Sequence, residues 1–96
     1  MNEINKLWEE FQNIPFPKDL AGEEIDGVDL MSIDTFAASC ISTYIENRGK
    51  LDNHRHAVLR ECMSDLDKVI NKIREEGEES FSLLYKLGTM ILDELK

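Results

Sequence analysis

The second half of the chain carries apolar residues in a helical repeat that is almost unbroken. Between residues 59 and 73 apolar side chains recur at steps of three and one, and a second series runs from Phe81 to Leu95. This spacing lines one face of an α-helix. A similar repeat covers residues 33–45, and no run alternates with the period of two that is typical of strands. We therefore predict an all-α protein.

Two prolines end the first predicted helix, which covers residues 2–13. Pro15 and Pro17 each remove a backbone donor and keep the preceding residue out of the helical conformation. The residues that follow, 14–28, have neither the helical nor the strand period. We interpret them as a long crossover that its scattered apolar side chains pin against the bundle, and a binding loop is the alternative.

Short connections around two glycines set the remaining helices antiparallel. The second helix should end at Arg48, with Gly49 in the left-handed position beyond it, and the third should end near residue 76, before Gly77. The second helix should start near Asp29 or Ser32, and the third should start with Asp52 or Asn53 as its N-terminal cap. The 96 residues are enough for one domain, so we predict a single antiparallel four-helix bundle over residues 1–96: a short helix 1, a long crossover, and three longer helices.

The second predicted helix is expected at the centre of this bundle. Asp34 is the only charged residue between 33 and 45, and most of the polar residues there are small. A helix with so little charge is expected to be approached from several sides. Its predicted apolar positions are Ile33, Phe36, Ala37, Cys40, Ile41, Tyr44 and Ile45. In the fourth helix, Gly88 is expected to lie against a neighbouring backbone.

The residues that could carry chemistry are sparse. His54 and His56 are two positions apart, so on a helix they point away from each other and cannot share a metal ion. Cys40 and Cys62 lie on apolar stripes, where we expect buried, reduced thiols. Because the sequence presents no nucleophile–base pair, paired carboxylates, phosphate-binding loop or metal-ligand spacing, we predict no enzyme, no catalytic residue, no metal and no cofactor.

Charge excludes one class of partner and favours another. The net charge of −9 argues against nucleic acid, which binds through Lys and Arg. Residues 1–47 hold ten acids and two bases, whereas residues 48–74 hold four acids and seven bases, so the charge is polarised. Without a long apolar run or a visible signal sequence, a cytoplasmic protein that does not bind membranes is expected.

We therefore expect a small interaction module that docks a basic protein, such as an antitoxin or immunity-type inhibitor, through the acidic crossover. The acidic residues concerned are Asp19, Glu23, Glu24, Asp26 and Asp29. We also expect a homodimer with a contact on the last helix, because Leu83, Leu87 and Met90 widen its apolar face. A structural or regulatory role for that homodimer is one alternative function. A carrier of a small apolar ligand is the other.

Overall fold

Four helices and a small β-hairpin make up the fold. The computed structural model describes residues 2–16, 18–20, 22–74 and 76–95, and the side chains of all of these except residues 2, 19 and 76. The elements are α1 (Asn2–Gln12), a 3-10 turn (Lys18–Leu20), β1 (Glu24–Ile25), β2 (Val28–Asp29), α2 (Leu30–Glu46), α3 (Asn53–Val69), a second 3-10 turn (Ile70–Lys72) and α4 (Glu76–Glu94). The prediction of an all-α four-helix bundle is confirmed.

The last helix, rather than the second, is the centre of the bundle. α4 packs against α1, α2 and α3, whereas α2 packs mainly against α3 and α4. Four apolar side chains of α4 lie wholly within the core: Phe81, Leu84, Leu87 and Ile91. The expectation of a central second helix is wrong, because Met31 and Phe36 on α2 are 43% and 56% exposed. The low charge of a helix therefore does not show how many other helices pack around it.

This position of α4 also changes the interpretation of its broad apolar face. Leu87 is 0% exposed, so its proposed role in a dimer contact is wrong: the same chain already buries it. Leu83 and Met90 are partly buried against the same core. The extra apolar width of α4 is therefore largely used within the bundle, which needs several faces of its central helix.

A glycine permits the close approach of α4 to α3. Gly88 is buried, and a methyl group added there would lie 2.8 Å from both Cγ and Cε of Met63 on α3. Such separations are too short for carbon atoms, so a larger residue at position 88 would force the buried Met63 side chain to move. The expected close neighbour is present, but it is a side chain and not a backbone.

The end of the third helix differs from its prediction. α3 stops at Val69, the 3-10 turn follows, and α4 already begins at Glu76, so Gly77 lies inside the first turn of α4 and does not end a helix. Gly77 is buried, and a methyl group there would collide with Leu20 of the crossover and lie 2.9 Å from Cγ2 of Ile73. The glycine therefore lets the crossover pack on the start of α4.

The predicted helix caps agree better with the structure. The carboxylate of Asp52 accepts a hydrogen bond from the Arg55 backbone N–H at 3.1 Å at the start of α3. Gly49 has a φ of 89°, the left-handed conformation expected after α2. At the same end of the bundle, the hydroxyl of the buried Tyr44 donates to Glu94 and connects the end of α2 to the end of α4.

A hairpin lies in the crossover where no regular structure was expected. Ile25 pairs with Val28 and Glu24 with Asp29, in antiparallel register. The two residues of the turn, Asp26 and Gly27, have φ values of 51° and 81°. An Asp-Gly turn with positive φ at both positions suits the twist of two antiparallel strands. The crossover is thus an ordered element that ends directly at the start of α2.

The contact between Gly88 and Met63 predicts whether an alanine at position 88 stabilises or destabilises the protein. Gly88→Ala should lower the free energy of unfolding by about 1–3 kcal/mol, because the added methyl overpacks the core. At an exposed helical site the same change would raise it by about 1 kcal/mol. Urea unfolding measures the difference. In a Met63→Ala background, Gly88→Ala should instead be neutral or stabilising, and a stabilising effect in both backgrounds would contradict the packing described.

Candidate functional site

An open groove lies between α2 and α3 in the part of the chain that the structure describes. Its volume is about 740 Å³, and the β-hairpin closes one end. Ile33, Cys40 and Cys62 are buried at its floor, and its walls hold Val28, Phe36 and Val58. Its ionisable rim comprises Asp26, Asp29, His54, Arg55, Glu61, Asp65 and Lys68. The groove therefore combines an apolar interior with a charged border.

α2 supplies the uncharged wall of this groove. Phe36 lies on the wall, and its neighbours on the same stretch of helix, Ser32 and Ser39, also line the groove. Phe36 and Met31 are the two large hydrophobic side chains that are exposed among the described residues. Phe36 was expected in the core. It lies instead outside the buried face of α2, which is formed by Leu30, Ile33, Ala37, Cys40, Ile41 and Tyr44.

α3 supplies the charged wall. Arg55 is held by Asp52, with 2.8 Å between Nη1 and Oδ1, and this interaction keeps the pKa of the Asp52 carboxyl below its usual range. Lys68 and Asp65 form a looser pair, 3.8 Å between Nζ and Oδ1. Both pairs are exposed, so solvent screens them and they can be exchanged for contacts with a partner.

The two cysteines lie at the floor of the groove as unreactive thiols. They are 3% and 7% exposed, and the Cys40 Sγ–H donates to the carbonyl oxygen of Arg55 at 3.5 Å. Burial raises the pKa of Cys40 and raises the pKa of Cys62 to about 11. A thiol becomes a nucleophile only as the thiolate, so both are apolar surface near neutral pH. The expectation that they are buried and free of a disulfide agrees with the structure.

The acids predicted to bind a partner are divided among several tasks. The carboxylate of Asp29 caps α2, accepting from the backbone N–H groups of Met31 at 3.0 Å and Ser32 at 3.2 Å. Asp26 forms an ion pair with Lys72, which fastens the hairpin to the turn after α3. Glu23 and Glu24 are exposed, and the side chain of Asp19 lies outside the described residues.

The structure brings two of these acids to the groove. Asp26 and Asp29 line its hairpin end, and Asp65 of α3 lines the groove too. The sequence spacing could not reveal this proximity, because residues 26–29 and residue 65 meet only through the pairing of α2 with α3. The Asp26-Gly27 turn was the available signal for a hairpin.

The histidines and the remaining acids do not form a metal centre in the part of the chain described. His54 lines the groove and His56 does not, as expected for positions two apart on a helix. Within the described ranges, no three His, Cys, Asp or Glu residues are grouped to hold an ion. Burial raises the pKa of the Asp34 carboxyl, but Asp34 lies outside the groove.

Two further observations concern membranes and similarity to known proteins. None of the described helices is both long enough and apolar enough to cross a bilayer. Comparisons of the chain with protein-family models, curated proteins and solved structures give no match. The physical features of the groove are therefore the basis for a functional proposal.

The cap at Asp29 can be separated from its charge by two substitutions. Asp29→Ala should lower the free energy of unfolding by about 1 kcal/mol, since the N–H groups of Met31 and Ser32 lose their acceptor. Asp29→Asn removes the charge but keeps a capping oxygen, so it should lower stability less. Equal losses in the two variants, measured by urea unfolding, would mean that Asp29 does not act as a cap.

Proposed function

We propose that this protein is a binding module that docks a basic segment of another protein in the groove between α2 and α3. The observation that carries the proposal is the exposed Phe36 on the uncharged wall of an apolar groove. Large aromatic side chains are the usual anchors of protein interfaces, because burying one fully is worth about 1.5–3 kcal/mol.

Charge supports a basic partner. The rim of the groove holds four acids, Asp26, Asp29, Glu61 and Asp65, against the two permanent cations Arg55 and Lys68. Glu23 and Glu24 add exposed negative charge next to the hairpin end. At a net charge of −9 the whole molecule attracts cationic partners and repels acidic ones. An inhibitor of a cationic enzyme, of the antitoxin or immunity kind, is one form that such a module takes.

A small apolar ligand is the second candidate for the same groove. The volume of about 740 Å³ falls in the range of ligand sites. Such sites bury most of the ligand, however, whereas here Phe36 on the wall is 56% exposed and the groove is open along its side. A protein segment, which brings its own surface to cover the groove, fits this openness better.

A homodimer is a weaker alternative after the burial of Leu87. Leu83 and Met90 still have partly exposed surface on α4, but the two exposed large side chains, Met31 and Phe36, both belong to α2. A self-association surface would therefore centre on α2 and would cover the groove or its border.

Differential capture tests the proposal. Immobilised wild-type protein, Phe36→Ala and Met31→Ala are exposed to a lysate of the native host, and bound proteins are identified by mass spectrometry. Met31 is an exposed apolar residue of the same helix that does not line the groove, so its substitution is the matched control. Both variants should fold as the wild type does, because neither side chain is in the core.

We expect at least one other protein on the wild-type and Met31→Ala baits that is absent from the Phe36→Ala bait. That protein should carry a basic surface and should be released as salt is raised, because salt screens exposed charges. The same proteins on all three baits, the chain itself alone, or no protein at all would overturn the proposal.

A further inference from the structure

We infer that the segment bound in the groove is an α-helix of the partner, with a large apolar side chain on one face and Lys or Arg residues beside it. This inference rests on the proposed function and specifies the occupant of the same site. It follows from the shape of the groove, from its uncharged wall and from the position of its acids.

The site has the shape of an interhelical groove, which could hold a third helix. α2 and α3 have 17 residues each, about 25 Å at ~1.5 Å per residue, and they run antiparallel. Met63 faces α4 on one flank of this pair, whereas Val58 and Asp65 face the groove on another flank. A helix laid along a pair of helices with an apolar seam is a common mode of peptide recognition. α4 already packs on one side of the α2–α3 pair, and the groove offers a second place for a helix on another side.

The uncharged wall permits a close approach. Between Asp34 and Glu46, α2 has no charged residue, and Ser39 beside Phe36 is small. A partner helix can therefore contact this wall without removing water from a buried charge. Phe36 rises from the same wall and is available to pack against the partner's apolar anchor.

The charges oppose a second copy of this chain as the occupant. Three of the four helices, α1, α2 and α4, carry more acids than bases, and α3 carries three of each. A helix with such charge would meet Asp26 and Asp29 at the hairpin end and Glu61 further along the groove. A basic helix from a different protein would meet complementary charge at Asp29 and Glu61, and would compete with Lys72 for Asp26.

Model peptides test the helical occupant directly. The probe is a peptide of about 17 residues, matched to the lengths of α2 and α3, with Leu and one Phe at helical spacing and Lys at the neighbouring positions. A second peptide has one central residue replaced by Pro, which disrupts a helix, and a third has every Lys replaced by Glu. Binding to the full chain is measured by calorimetry, and the peptide's helix content by circular dichroism.

The basic peptide should bind and gain helix content. The Pro peptide and the Glu peptide should each bind at least about tenfold more weakly. Phe36→Ala should weaken the basic peptide by at least about tenfold, and Met31→Ala should leave its affinity within about twofold. Backbone NMR signals of Ser39 and Val58 should shift on binding.

Three outcomes would overturn the inference. Equal affinity for the Pro peptide would indicate an extended segment, for example one paired with an edge of the hairpin. Equal affinity for the Glu peptide would mean that the acids of the groove do not select the partner. An absence of binding by the basic peptide up to about 1 mM would mean that the groove does not take a helix of this chemistry.

The outcomes also separate this inference from the function on which it rests. A captured partner whose binding depends on Phe36 would support the docking function. If the Pro peptide then binds as well as the basic peptide, the bound segment is not a helix. Binding of the helical peptide without any captured partner would show that the groove accepts a helix and would contradict the proposed function.

Discussion

The packing of α4 against the other three helices determines which surfaces the rest of the molecule presents. Because α4 fills one flank of the α2–α3 pair, the outer sides of those two helices have no helix of their own chain against them within the described residues. The contact is close because Gly88 admits the side chain of Met63. The groove exists because α4 provides cover on one side only, and the short hairpin closes just one end of the other side.

Much of this fold could be predicted from the sequence, since helical periodicity and helix caps are local properties. The spacing of Leu59, Met63 and Leu66 predicts a helix whatever lies beside it, and Asp52 and Gly49 mark ends through chemistry within one or two turns. The same local signals misassigned Gly77. A glycine after a charged run is typical of a helix end, whereas here Gly77 lies inside α4 and packs against Leu20, which is far away in sequence.

The candidate site was harder to predict than the helices, because it depends more on contacts between residues that are far apart in sequence. The uncharged character of α2 was visible, but whether that surface faces the core or solvent depends on where α4 packs, and Phe36 was therefore misplaced. The acids of the crossover were visible too. Their division into a cap at Asp29, an ion pair at Asp26 and free charge at Glu23 and Glu24 required the hairpin and its neighbour Lys72. A predicted patch of equivalent acids is thus a set of residues with different roles.

The central claim is that the α2 wall of the groove is open to solvent in the free protein. Hydroxyl-radical footprinting with mass spectrometry measures this directly, because side-chain oxidation follows exposure. Phe36 and Met31 should be oxidised much faster than Phe81 and Met63, which serve as buried counterparts of the same residue types. Protection of Phe36 to the level of Phe81 would contradict the account, since the groove would then be closed in solution by a second copy or by a different packing of the helices.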